Sequence, residues 1–194
     1  MPAEMSDSAG ARPAELRVAE FTALRRAIAA RGTARIVIAP LAVAVWAALT
    51  LTLVLLSDVP LATLLPLGVL VSGFEAIHAL HVGAERIGRY LQVYYEGNPE
   101  GPQWETAAMT VGPALPGGGV DPLFSVVFIG AAVLNVLSAL LLLLQPTWQE
   151  LAALGAVHAA FVFRVVRARV AAARQRAVEL ESFKALLLRQ RDRD

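Results

Sequence analysis

The chain has no cysteine among its 194 residues. This absence excludes disulfide bonds, thiolate metal sites and a cysteine nucleophile. Charge is also scarce: 17% of the residues are Asp, Glu, Lys or Arg, against about a quarter in a typical soluble domain. The basic residues include a single lysine, Lys184, and are otherwise arginine. Together with the abundance of alanine, this bias suggests a GC-rich bacterial genome.

Long uncharged segments account for the low charge. About 20 apolar residues in a helix cross the hydrocarbon core of a membrane. We place four such spans at about residues 36–56, 61–82, 123–144 and 148–163. The last span is the shortest, and its sixteen helical residues cover only about 24 Å. The sequence therefore predicts an all-α integral membrane protein with four transmembrane helices in two hairpins.

Local signals mark where these helices begin. Pro60 follows a short polar turn and is expected in the first turn of the second span. Asp121 is a candidate N-cap for the third span, with Pro122 at its first helical position. Thr147 and Glu150 have the spacing of a capping box at the start of the fourth helix.

The remaining segments are expected on one side of the membrane. Residues 1–12 are predicted to be disordered, residues 13–35 to form an amphipathic helix, and residues 83–122 to form a long connection. The tail, residues 164–194, continues the fourth helix. It is either an amphipathic helix docked on the N-terminal helix or membrane surface, or a coiled coil joining subunits, because apolar residues follow an a/d spacing at Val166, Val170, Ala173, Ala177, Leu180 and Leu187.

The basic residues predict the orientation. Six lie in residues 1–35, two in 83–122 and nine in 164–194, and none lies in a span or in the two short turns. By the positive-inside rule, both termini and the long connection are cytoplasmic in a bacterial inner membrane. The arginine-rich tail is expected to contact anionic lipid headgroups. Binding to nucleic acid is not expected, because no recognition fold accompanies the charge.

A polar stripe follows one face of the second helix. With about 100° per residue, Glu75 and the polar positions that follow it fall within roughly 120° of one another. Such a face is expected to turn away from lipid. With Arg86 as the membrane boundary, Glu75 lies about 16 Å deep and His78 about 12 Å deep. The stripe consists of Glu75, His78, His81, Glu85, Arg89, Gln92 and Glu96.

Two residues on other helices match the stripe. Asn135 is predicted at the depth of Glu75, and His158 at the depth of His78. The candidate polar face inside the membrane is therefore Glu75, His78, His81, Glu85, Asn135 and His158.

Four interpretations of this face remain open. Its members hold the helices together by hydrogen bonds, or Glu75 and His78 relay ions or protons. Alternatively, His78 and His158 ligate a metal ion or a b-type haem. An enzymatic role is the weakest interpretation, because a His–Glu pair alone is little evidence of acid–base catalysis. We therefore expect no enzyme activity and no resident cofactor.

The long connection contains two patterns that resemble known motifs. Gly117–Gly119 lack the Lys-Ser/Thr of a phosphate loop. Thr110–Gly112 lack the Tyr-Gly that completes a potassium filter. We instead predict one or two helical turns within residues 105–111 and packing of the connection against residues 85–96.

Three function classes follow, of which the third is a haem- or metal-binding membrane protein with His78 and His158 as ligands. The first is a small homo-oligomeric membrane protein that conducts ions or protons along the Glu75–His78 face, because four short spans enclose little interior on their own. The second is a structural or interaction protein that recruits partners through its cytoplasmic helices.

Overall fold

The computed structural model describes residues 7–57, 59–97, 100–111, 122–142 and 147–193. Within these ranges the chain is helical and contains no strand, so the predicted all-α class is confirmed. The helices are α1 Asp7–Leu56, α2 Leu64–Tyr94, α3 Trp104–Val111, α4 Pro122–Leu142 and α5 Trp148–Arg191, with a 3-10 turn at Pro60–Thr63. As predicted, four of them (α1, α2 with its preceding turn, α4 and α5) are long and apolar enough to cross a membrane.

The predicted helix starts are found where the structure describes them. Pro60 opens the 3-10 turn that leads into α2. The capping box of α5 is present: Glu150 N donates to Thr147 Oγ1 at 3.3 Å, and Thr147 N donates to Glu150 Oε2 at 3.0 Å. Pro122 is the first residue of α4, whereas Asp121 lies outside the described residues.

The first helix differs from the prediction. Sequence analysis separates an amphipathic helix from the first span, but α1 is one continuous helix of 50 residues. It begins at Asp7 and so includes residues 7–12, for which disorder was predicted. Gly32 and Thr33 are residue types that favour a helix end, but the Thr33 hydroxyl donates to the Ala29 carbonyl within the helix, and one glycine costs only about 1 kcal/mol.

Specific contacts define the helix directions. Arg31 of α1 donates to the Gly83 carbonyl of α2 at 2.6 Å, and Ala42 approaches Gly73, so α1 and α2 are antiparallel. Ion pairs join α2 to α5 at two levels, from Glu75 to Arg164 and from Glu85 to Arg176, with sequence separations of 89 and 91. Because these separations are nearly equal, α2 and α5 are parallel and in register.

Aromatic rings form the centre of the core. Phe74 is fully buried and packs edge-on against Phe128 and Phe161, with ring centroids 5.7 and 6.0 Å apart. Leu67 and Leu70, two turns and one turn before Phe74, are also buried. The outer surface is apolar as well: Ile36 is 76% exposed and Leu56 is 82% exposed. An apolar surface of this kind is typical of helices that face lipid.

Two parts of the molecule are distinguished below. The apolar bundle is formed by residues 36–56, 60–82, 122–142 and 148–163. The extension is formed by residues 14–35, 83–97, 100–111 and 164–191, and it contains the described arginines and Lys184, apart from Arg12 and Arg193. Because α1, α2 and α5 belong to both parts, no loop separates them.

Candidate functional site

Asn135 is the centre of a hydrogen-bond cluster inside the apolar bundle. Its Oδ1 accepts from Trp46 Nε1 at 3.0 Å and from Thr50 Oγ1 at 3.4 Å. Its Nδ2 donates to the Thr63 carbonyl and to His158 Nε2, both at 2.9 Å. The Asn135 side chain is fully buried and uses its whole hydrogen-bonding capacity. The cluster joins α1, the 3-10 turn, α4 and α5.

The ring of His158 is committed to this cluster. Its Nδ1 lies 2.7 Å from the Leu154 carbonyl, so Nδ1 carries the proton and Nε2 accepts from Asn135. The ring is therefore neutral, and both nitrogens are occupied within the chain. Sequence analysis identified Asn135 and His158, but not Trp46 or Thr63. No periodic pattern distinguishes those two from other apolar-bundle residues.

Glu75 lies outside this cluster. Its carboxylate pairs with Arg164 of α5 at 2.7 Å, and the two side chains are 42% and 43% exposed. The pair is therefore at the periphery of the helices, where the guanidinium also lies 5.8 Å from the Phe74 ring centroid. Arg164 was taken as the end of the fourth span, and its contact with Glu75 places Glu75 at that same end.

His78 and His158 are not at the same level, contrary to the prediction. His78 stacks on Phe74 with ring centroids 5.8 Å apart and planes inclined by 4°. In the register defined by the α2–α5 ion pairs, His158 is level with about residue 68 of α2. Ten residues of helix separate that level from His78, or about 15 Å. The structure thus keeps the two proposed ligands of a metal ion or haem apart.

The outer half of the stripe forms a charge cluster with α5. Glu85 contacts Arg89 at 3.8 Å, the predicted pair, and also Arg176 at 3.4 Å. Glu179 contacts Arg86 at 3.0 Å and Arg89 at 3.2 Å. Arg89 is only 4% exposed. Contacts of Arg176 and Glu179 with the stripe were not predicted, although their spacing of three places both on one face of α5.

A cleft of about 250 Å³ opens between α1, α2 and α3 beside this charge cluster. We call it the boundary cleft, because it lies at the end of the apolar bundle. Its apolar wall includes Ile28, Ala84 and Met109. Its polar lining is Arg35, His81, Glu85, Arg89, Gln92 and Glu105. His81 and Glu85 of the predicted face therefore line a cleft together, whereas Glu75 and His78 do not take part in it.

Arg35 and His81 meet at the inner end of the cleft. Arg35 Nη1 lies 3.4 Å from His81 Nδ1. A guanidinium only donates, so Nδ1 accepts and carries no proton. This contact links the last arginine of α1 before the apolar bundle to the polar stripe of α2.

The described part of the long connection, residues 100–111, packs on the stripe, as predicted for the connection. The Glu96 carboxylate accepts hydrogen bonds from the backbone amides of Glu105 and Thr106, each at 2.7 Å, and from the Thr106 hydroxyl at 2.7 Å. It thereby caps the first turn of α3, which confirms the predicted helical turns near residues 105–111. A carboxylate at a helix N-terminus also interacts favourably with the helix dipole.

Glu105 closes the cleft from the side of α3. Its carboxylate pairs with Arg25 of α1 at 2.6 Å. Burial raises the pKa of the Glu105 carboxyl above its usual value, and the nearby Arg25 guanidinium opposes that rise. The contact fixes the short helix to α1.

A cluster of tyrosines joins α1, α2 and α5 at the far end of the extension. Glu20 of α1 accepts from Tyr90 Oη at 2.9 Å and from Tyr95 Oη at 2.7 Å. Tyr90 also packs edge-on against Phe183 of α5, with centroids 5.8 Å apart. Burial, followed by the hydrogen bond to Glu20, raises the pKa of Tyr95. Sequence analysis did not single out these residues.

Among the residues that the structure describes, no three His, Asp or Glu side chains are close enough together to hold a metal ion. No family model, curated protein or solved structure matches the chain. The geometry therefore defines a helical bundle, with four helices long and apolar enough to cross a membrane, that carries a polar cleft and a charged helical extension at one end.

Proposed function

We propose that the protein is an oligomeric inner-membrane interaction protein, with both termini in the cytoplasm and with α5 as its pairing surface. The observation that carries this proposal is the exposure of the predicted coiled-coil positions. Val166 is 46% exposed and Val170 is 48% exposed, and Ala177 is exposed too. At these three positions the described helices of the chain leave the seam open, whereas Leu180 and Leu187 are half-buried.

The extension suits such a role because it is a rigid continuation of the membrane helices. Ion pairs connect α2 to α5 at Glu75, Glu85 and Arg86. Glu20 and Tyr90 fasten α1 to α2 beyond them. A surface carried on these helices keeps a fixed height and direction relative to the membrane. The partner that the seven-residue repeat of α5 favours on this seam is a second copy of the chain.

The absence of cysteine gives a direct test. Single variants Val170→Cys and Ala177→Cys place a thiol on the seam, and a short bismaleimide in native membranes is expected to link two chains through either one. Val18→Cys on α1 is the matched control, because Val18 is 66% exposed but lies off the seam. No crosslinked dimer at either seam position, or equal crosslinking at Val18, would contradict the proposal.

Ion or proton passage is a second candidate. The peripheral Glu75–Arg164 pair supports it, because side chains exposed by more than 40% in one chain can line a path between several chains. A path through a single chain is opposed by the buried side chains of Leu67, Leu70 and Phe74, which fill the interior. The double variant Glu75→Ala/His78→Ala in liposomes tests this candidate. Flux equal to that of the wild type, or no flux in the wild type, would reject it.

A further inference from the structure

We propose that the paired α5 helices hold the phosphate group of an anionic phospholipid between Arg169 of one copy and Arg174 of the other. This inference rests on the proposed pairing of two chains through the α5 seam. It names the ligand that the pairing requires. The observations that carry it are the heptad positions of the two arginines, their surroundings within the chain, the contrast with the next heptads, and their level in the bundle.

The a/d spacing of α5 determines which residues flank the seam. Val170 and Ala177 occupy a positions, so Arg169 is at a g position and Arg174 is at the e position that follows it. Two copies with the same topology in one membrane pair in parallel around a two-fold axis. In a parallel pair, a g residue faces the e residue of the next heptad on the other helix. Arg169 therefore faces Arg174 of the second copy, and the symmetry gives this contact twice.

Neither of these arginines is neutralised within its own chain. Both are exposed, and neither makes an ion pair or a hydrogen bond with the residues that the structure describes. Two other arginines of α5 do have carboxylate partners. Arg164 pairs with Glu75 at 2.7 Å. Arg176 contacts Glu85 at 3.4 Å. Pairing of the seam thus brings two uncompensated positive charges together on each side, and like charges that face each other are destabilising.

The next two heptads of the seam contain no such conflict. Arg176 is at a g position and Glu181 is at the following e position, so opposite charges face each other across the seam. One heptad further, the same two positions are occupied by the apolar residues Phe183 and Leu188. The repulsion is thus confined to the heptad nearest the apolar bundle, and that heptad is where an anion stabilises the pair.

This heptad lies at the edge of the apolar bundle. The ion pairs between α2 and α5 place Arg169 level with about Ala79 of α2. The contacts between α1 and α2 place Ile36, the first residue of the apolar segment of α1, at the same level. Arg174 is five residues further along α5, or about 7.5 Å further out. Because lipid phosphates lie directly outside the hydrocarbon core, they are at the depth of both guanidinium groups.

A phosphodiester has the chemistry that this contact requires. Its negative charge reduces the repulsion between the two guanidinium groups, and its oxygens accept charge-assisted hydrogen bonds from both of them. The acyl chains of the same lipid extend along the apolar outer surface of the bundle. In phosphatidylcholine the choline cancels the phosphate charge, so an anionic lipid such as phosphatidylglycerol is the better ligand.

Crosslinking of the full chain in lipid vesicles tests the proposal. The Ala177→Cys variant is reconstituted in dioleoylphosphatidylglycerol or in dioleoylphosphatidylcholine and treated with a short bismaleimide. The protein-to-lipid ratio at half-maximal crosslinking is expected to be about tenfold higher in phosphatidylcholine, because the loss of one charge-assisted hydrogen bond changes an equilibrium constant by about this factor. Equal ratios in the two lipids would overturn the lipid site and leave the dimer intact. No crosslinking in either lipid would overturn the dimer itself.

Glycerol 3-phosphate distinguishes a lipid from a soluble phosphate ester. It is added to the phosphatidylcholine vesicles and is expected to leave crosslinking unchanged, because it has no acyl chains to hold its phosphate at the edge of the bundle. Recovery of crosslinking to the level in phosphatidylglycerol would assign the site to a soluble phosphate ester and overturn the lipid as its source.

Charge reversal gives a second test in the Ala177→Cys background. Arg174→Glu places a carboxylate opposite Arg169, so crosslinking in phosphatidylcholine is expected to reach the level that the unreversed chain shows in phosphatidylglycerol. Arg189→Glu is the matched control, because Arg189 is exposed at an f position that faces away from the seam, and it is expected to change nothing. Circular dichroism checks that both variants fold. No gain with folded Arg174→Glu, or an equal gain with Arg189→Glu, would overturn the proposal.

Discussion

Asn135 Nδ2 lies 2.9 Å from His158 Nε2, in a part of the bundle where both side chains are almost completely buried. This contact joins α4 to α5, and Trp46 and Thr63 extend it to α1 and to the turn before α2. The arrangement corresponds to the interpretation of the polar residues as connections between helices. Asn135 and His158 of the candidate polar face make these connections, whereas Glu75 and His78 lie outside the hydrogen-bond cluster.

Asn135→Leu is expected to destabilise the protein by about 2 kcal/mol, because interhelical hydrogen bonds in membranes contribute about 0.6 kcal/mol each and the four that Asn135 makes are lost. The measurement is unfolding in mixed detergent micelles, followed by circular dichroism. A cycle with His158→Ala is expected to show coupling, so that the double variant loses less than the two single losses added together. Additive losses would mean that the two side chains do not interact energetically.

Glu75→Gln is expected to change stability by less than about 1 kcal/mol, because ion pairs with this degree of exposure are screened by the surroundings. Both partners are more than 40% exposed. The exchange Glu75→Arg/Arg164→Glu, which retains the pair in reverse, serves as the control. A loss as large as that of Asn135→Leu would show that the Glu75–Arg164 pair is a main structural contact.

Gly73→Ala is expected to destabilise the packing of α1 on α2. A Cβ at this position would lie 2.5 Å from Ala42 Cβ, too close for two carbon atoms, and neither atom can rotate away. Overpacking of this kind costs about 1–3 kcal/mol. The compensating variant Gly73→Ala/Ala42→Gly returns the space and is expected to recover most of the loss. Gly68→Ala is the control, because a Cβ there has no neighbour within 4 Å. Equal melting temperatures for the two alanine variants would contradict the predicted clash.

The fold was predictable to the extent that it depends on local pattern. Charge-free segments predicted the four long helices, and the spacing of Thr147 and Glu150 predicted the start of α5. The continuity of α1 was not predicted, because a change from polar to apolar composition resembles a helix boundary. Helix boundaries are instead marked by capping and turn residues.

The candidate site was predictable only in part, because helical angle and depth describe one helix at a time. They identified His81 and Glu85, which line the boundary cleft, as well as Asn135 and His158. The relative register of α2 and α5 depends on tertiary packing. Without that register, Arg164 of α5 and Arg86 of α2 were both taken as the membrane boundary. The ion pairs place Arg164 level with Glu75, about eleven residues before Arg86 along α2. This error produced the false match of His78 with His158.

The tyrosine cluster gives a prediction for alkaline pH. The raised pKa of Tyr95 means that the folded protein holds this proton more tightly than the unfolded chain does, chiefly because burial disfavours the phenolate. Its contribution to stability is therefore complete below the unfolded pKa of about 10 and is lost as pH rises through the folded pKa. The pKa of Tyr90 is raised as well, so the absorbance change of Tyr90 and Tyr95 at alkaline pH is expected later in the folded protein than in the denatured chain. Tyr95→Phe should remove one late-titrating group, and Glu20→Gln should lower the pKa of Tyr95 by removing the neighbouring carboxylate charge. Titration of Tyr95 at its ordinary pKa in the folded protein would show that the contact with Glu20 does not hold α1 to the end of α2.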